Sequence, residues 1–185
     1  MSKHISELPK DIQELRNKIA LMTTNLPKRI ANTALKHFDE SWNRQGFTDV
    51  NGSFKAWAER KKKEGVEADN RGILIGKGSG RLRRSLRVIS TSANQVVIGT
   101  DVPYAQIHNE GGEINTTQSV RSFKKKSFQR SRQGRRHKVR SHTVKSFTRR
   151  LNIRMPQRQF MGASKPLIDK IMQQIDAEVK RIFAN

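Results

Sequence analysis

Residues 119 to 153, SVRSFKKKSFQRSRQGRRHKVRSHTVKSFTRRLNI, carry thirteen lysines and arginines and no acid, and they lie inside the chain rather than at an end. Like charges at this density repel and hold a segment extended unless an anion compensates them. The stretch therefore cannot be part of a compact core. More than thirty residues of amphipathic sequence follow it, so it reads as an insertion held at both ends.

The rest of the chain must supply the core. With 185 residues, 34% of them hydrophobic, we expect one domain, 1–185, with a modest core. Of the net charge of +22, thirteen lie in the insertion, which leaves +9 elsewhere. Such a field favours polyanions: nucleic acid, an anionic membrane face or an acidic protein surface. Charge does not choose among them. No apolar run approaches the ~20 residues of a membrane span, and MSKHISELPKDIQ has no apolar signal core. The expectation is a protein made and kept in the cytosol, with no membrane partner. The absence of cysteine excludes disulfides and thiolate metal sites.

Periodicity predicts an α+β fold: N-terminal helices (1–46), a loop and antiparallel β-sheet body (47–112), a long basic β-hairpin (113–153), then a loop and C-terminal helix (154–185). Ile12, Leu15, Ile19 and Met22 mark one helix from Pro9 to Thr23. Asn25 ahead of Pro27 suggests the cap of a second, with Ile30, Ala34, Leu35, Phe38 and Trp42 on its buried face and Gly46 at its end. FTDVNGSFKAWAERKKKEG reads as irregular, with a helical turn near Trp57. SLRVIS and QVVIGT read as a hairpin, and EINTTQSV and KVRSHTVKSF as the flanks of the basic one, with 121 to 138 as a mobile tip. Leu167, Ile168, Ile171, Ile175, Val179 and Ile182 mark the last helix, Ser164 to Phe183.

The motifs that invite chemistry do not complete it. GILIGKGSGRL lacks the glycine of a phosphate loop five residues before its Gly-Lys pair, and Arg81 stands where a dinucleotide fingerprint needs a third glycine. It reads as a flexible turn leading into an LRRSL strand. His137 and His142 have no carboxylate or thiol nearby in sequence to complete a metal shell. Tyr104, His108 and Glu110 could converge, yet no nucleophile or oxyanion donor stands at a recognisable spacing, so His108 reads as a structural histidine. We expect no enzyme, cofactor, metal or small-molecule ligand. Val120, Phe123, Phe128, Val139, Val144 and Phe147 interleave the cations, as in chains that stack on bases. VRSFK at 120 and VKSFT at 144 echo each other, as two strands in similar surroundings would.

Three blocks in order, GSGRLRRSL (78–86), VVIGTDVPYAQIHNEGG (96–112) and RMPQRQFMGAS (154–164), resemble the phage virion-morphogenesis or tail-completion family, the Mu-type neck proteins of long-tailed phages. VRSHT (139–143) and Trp57 also sit where that family carries similar residues. The chain departs from it at Asn109, where glutamine is common, and at Gln159, where a second proline often stands. The resemblance implies a structural virion protein of the neck or tail, made in the host cytoplasm. It implies a homo-oligomeric, hexamer-like ring that meets head-tail connector and tail tube proteins, with phage DNA in its channel. Arg121, Lys124, Lys125, Lys126, Arg130, Arg132, Arg135, Arg136, Lys138 and Arg140 are then the expected contacts to DNA or an acidic partner. Arg83, Arg84 and Arg158 are expected at a subunit interface, where the planar guanidinium is favoured. The alternative is a host nucleic-acid-binding protein, for which no RNA-recognition, helix-turn-helix or zinc-finger signature is present.

Overall fold

The computed structural model describes residues 9–60, 71–76, 79–132 and 134–183. The end of the irregular reading beyond Arg60, and Lys77 and Gly78 of the glycine cluster, lie outside them. Helix α1 (Lys10–Arg44) is followed by β1 (Gly46–Thr48), β2 (Phe54–Ala56), a helical turn α2 (Arg81–Arg84), β3 (Arg87–Thr91), β4 (Val96–Gly99) and α3 (Ala105–Glu110). Then come β5 (Gly112–Val120), β6 (Phe123–Lys125), β7 (Phe128–Arg132), β8 (Arg135–Val139), β9 (His142–Val144), β10 (Phe147–Met155) and α4 (Lys165–Phe183). The fold is α+β, and its strands pair antiparallel two by two: β1 with β2, β3 with β4, β5 with β10, β6 with β9 and β7 with β8. Two compact units result, a body (1–111 with 156–185) and a ribbon (112–155).

The two expected N-terminal helices are one helix of 35 residues with Pro27 inside it. Proline removes a backbone donor and costs about 3 kcal/mol in a helix interior. Here Leu26 and Pro27 are both buried, which offsets that cost and carries the helix through. The helix ends at Gln45, whose left-handed backbone (φ 51°) turns its N–H back to the Ser41 carbonyl. Gly46 follows because a Cβ there would meet the Phe54 ring and the Lys55 carbonyl.

No helical turn forms at Trp57. Asp49 Oδ1 accepts from the N–H groups of Asn51 (2.9 Å) and Ser53 (3.0 Å), closing the turn between β1 and β2. Trp57 then runs extended, its N–H on the Gln45 carbonyl (2.8 Å) and its indole N–H on the Gln159 carbonyl (2.6 Å). LRRSL likewise forms no strand. One helical turn carries Leu82 into the core, and strand begins only at Arg87. The β3/β4 hairpin forms as its alternation predicts, with a bulge at Ile89.

Two aromatic clusters make the body. Trp42, Trp57, Leu82, Val102, Ala105 and Phe160 form one, with the Phe160 ring 5.0 Å and the Trp57 ring 5.8 Å from Trp42. Ala34, Phe38, Phe47 and Leu167 form the other, and Leu86 and Met161 touch both. Helix α4 lies against α1 through Leu167 and Ile171, with Gln174 donating to Thr33 (2.7 Å) and the Ser164 hydroxyl against His37 Nε2 (3.0 Å). Glu178 is buried between Arg29 (2.8 Å) and Arg181 (2.5 Å). A buried carboxylate is tolerable because both guanidinium groups reach it. Of the apolar residues that mark this helix, Ile168 and Val179 are exposed.

Candidate functional site

The candidate site is the ribbon. From Gly112 opposite Met155 to Arg132 opposite Arg135, every pair of strands keeps one register, with no residue gained or lost on either side. Gly134, at φ 74°, occupies the closing turn. Among the described residues the tip expected to be mobile is paired strand, interrupted at 121–122 with 145–146 and at 126–127 with 140–141. The reason lies in the echo noted in the sequence. VRSF and VKSF face each other across the ribbon, so Val120 opposes Phe147 and Phe123 opposes Val144. Phe128 opposite Val139 adds a third such pair. Aromatic and β-branched partners opposite each other are worth about 0.2–1 kcal/mol a pair, enough to set a register but not to build a core.

The charges follow from that register. Residues 112–155 hold fourteen lysines and arginines and one acid, Glu113, which pairs with Arg154 (3.0 Å) at the base. Arg149 donates to Gln118 Oε1 (3.0 and 2.7 Å), and Lys125 Nζ lies 4.4 Å from the centre of the Phe128 ring. Towards the tip Gln129 opposes Lys138, Arg130 opposes His137, Ser131 opposes Arg136 and Arg132 opposes Arg135. Cations stand opposite cations or neutral groups, and like charges directly opposed destabilise a strand pair. Of the expected contact residues, Arg121, Lys124, Lys125, Lys126, Arg130, Arg135, Arg136, Lys138 and Arg140 are all exposed, and Arg132 sits in β7 by register.

The three arginines expected at an interface have different surroundings. Arg158 is buried and donates through Nε to the Ala58 carbonyl (2.9 Å) and through Nη2 to that of Glu59 (3.2 Å). Burial, and the Arg60 guanidinium after it, hold its pKa below the ordinary value. Arg83 grips Asp39 with Nε (2.5 Å) and Nη2 (2.7 Å) and reaches Asn43 (2.9 Å). That hydrogen-bonded pair holds the Asp39 carboxyl below the usual range. Arg84 is exposed.

Among the described residues no acid-base pair assembles around His108. Glu110 accepts from Gln106 (3.1 Å), the half-exposed Tyr104 meets the imidazole edge-on at 5.8 Å, and burial followed by the Arg158 charge lowers the His108 pKa. An open cleft of about 390 Å³ runs past Arg60, Arg71, Tyr104, His108 and Arg158. Sequence reasoning missed the role of Asn109. Its Oδ1 accepts from the N–H groups of Phe160 (3.0 Å) and Met161 (3.1 Å), while the His108 carbonyl accepts from Arg158 N–H (2.8 Å). One turn of helix thereby holds residues 158, 160 and 161 of the loop before α4. No local pattern singled Asn109 out, since Gln106, His108 and Glu110 beside it are polar as well.

Among the described residues no cluster of His, Asp and Glu could hold a metal, and no helix is long and apolar enough to cross a membrane. The body packs on its own aromatic clusters, and the ribbon carries the dense positive charge. The chain belongs to the phage virion morphogenesis family, whose model matches residues 4–180. Membership points to a structural, virion-associated role in bacteriophage assembly rather than to catalysis. No curated protein and no solved structure matches the chain.

Proposed function

We propose that the protein is a subunit of a homo-oligomeric ring at the phage neck or upper end of the tail, completing the tail between connector and tail tube proteins, with its ribbon gripping duplex DNA. The ribbon carries the reading: its own strand pairing sets Arg132 against Arg135 and Arg130 against His137, so compensation has to come from an external anion. Its chemistry suits DNA better than an acidic protein surface. Residues 121–146 hold eleven cations and no acid. At about 3.4 Å per pair that is roughly one cation per 4 Å of ribbon, close to the phosphate spacing of about 3.4 Å along one DNA strand. A two-stranded ribbon also fits the major groove. Protein interfaces, by contrast, are depleted of charge at their centres, and six of the ribbon's large apolar groups, its three Phe/Val pairs, already oppose one another.

Fluorescence anisotropy on duplex DNA against salt tests the grip. Neutralising about six phosphates gives a log–log slope near −5, equal for unrelated sequences. A flat salt dependence, or tighter binding to polyglutamate than to DNA, contradicts it. Light scattering tests the ring: a closed oligomer supports it, and a monomer at all concentrations removes it.

A further inference from the structure

Among the described residues, two apolar stripes of the body stay exposed or half-exposed. Along the first part of α1, Ile12 (48% exposed), Leu15, Ile19 (42% exposed) and Met22 recur at steps of three, four and three. Alternation of three and four is the narrow seam by which one helix meets another. The α1 residues that bond to α4 or to its leading loop, Arg29, Thr33 and His37, all come after this seam. On α4, Ile168, Met172, Val179 and Phe183 are exposed and Ile175 half-exposed, at steps of four, three, four and four, beside the stripe that faces α1.

We propose that the α1 seam of one copy docks on the outer α4 stripe of a second copy of this chain. This rests on the ring reading above and names its contact. The two stripes are different surfaces of one chain, so the contact is head-to-tail and every subunit uses both, which is the kind of interface that closes a ring. Charges of both signs flank each stripe and pair within their own helix, Lys18 with Glu14 (3.1 Å) on α1 and Lys165 with Asp169 (3.1 Å) on α4, which leaves little net field between the two. One pair of short helical stripes falls below the roughly 1,200 Å² of a stable two-protein interface. The contact therefore holds when repeated around a closed ring, not as an isolated dimer.

The chain has no cysteine, which makes the test clean. Full-length Ile19→Cys and Met172→Cys proteins are mixed in equal amounts and treated with a short bis-maleimide, which reports only contacts between copies. Each must first show the wild-type tryptophan spectrum. The expected product is a 19–172 crosslink at least tenfold above that of either protein alone, and loss of the wild-type oligomer in Ile19→Asp. A dominant 19–19 crosslink overturns the proposal in favour of α1 pairing with α1. A wild-type oligomer without the 19–172 product overturns this contact and leaves the ring standing. A wild-type monomer at every concentration removes both.

Discussion

The body and the ribbon use the same residue types to opposite ends. In the body Phe160, Trp42 and Trp57 are buried against one another from three separate stretches of chain. In the ribbon Phe123, Phe128 and Phe147 stay about 36 to 46% exposed, each resting on a valine across the strand pair. The body is held by buried area and the ribbon by register. It follows that the body should fail when one aromatic is cut back, whereas the ribbon should lose stability in small steps and tolerate charge that no core would accept.

The largest effect should come from Phe160→Ala. Removing a fully buried ring from the Trp42 contact should cost about 3 to 5 kcal/mol in urea unfolding, read by tryptophan fluorescence. A loss below about 0.5 kcal/mol would mean that the ring is a contact residue and not the body's keystone. Asn109→Ala comes next, at about 1 to 3 kcal/mol, because it strands the N–H groups of Phe160 and Met161. Gln at 109 should recover part of this, and no recovery would mean that the two bonds need the shorter side chain.

Acid should separate the regions further. Burial lowers the pKa of His37, and of His108, below the ordinary 6.5. The folded body keeps them neutral while the unfolded chain binds protons, so stability present above about pH 6.5 is lost as the pH falls through and below that value. Urea midpoints from pH 8 to 5 should fall, and less steeply in His37→Gln. Midpoints that rise towards pH 5 would reverse the assignment. The smallest effect belongs to the ribbon: Phe123→Ala should remove about 0.2 to 1 kcal/mol of local strand pairing, seen in amide exchange of 120–147, with the tryptophan transition unmoved. A shift of the body transition would show that the Phe/Val pairs belong to its core.

Much of this was legible in the sequence, where a periodic or compositional signal was local. The β3/β4 hairpin, α4 and the insertion's two ends follow from alternation and charge. Pro27 misled because only tertiary burial decides whether a helix survives a proline. Trp57 misled because the bonds that keep it extended go to Gln45 and Gln159, the latter far along the chain. The pairing within the ribbon tip was not legible because the charge there speaks for a mobile segment, while the register depends on pairing 120–123 with 144–147 in reverse. Among the candidate site residues, exposure of the ribbon cations could be read from composition, whereas the contacts of Arg158 go to the carbonyls of Ala58 and Glu59, a hundred residues away in irregular chain that no local pattern announces.

Excising the ribbon tests the division most directly. Gly112 pairs with Met155, so the cut ends lie within about 5.5 Å and a short glycine linker can replace 113–154. Both tryptophans, Trp42 and Trp57, are in the body and report it alone. The excised protein should unfold within about 0.5 kcal/mol of the parent, a shift no larger than ordinary surface substitutions cause, while its salt slope on duplex DNA flattens towards zero. An unfolded body, or a slope still near −5, would contradict the account.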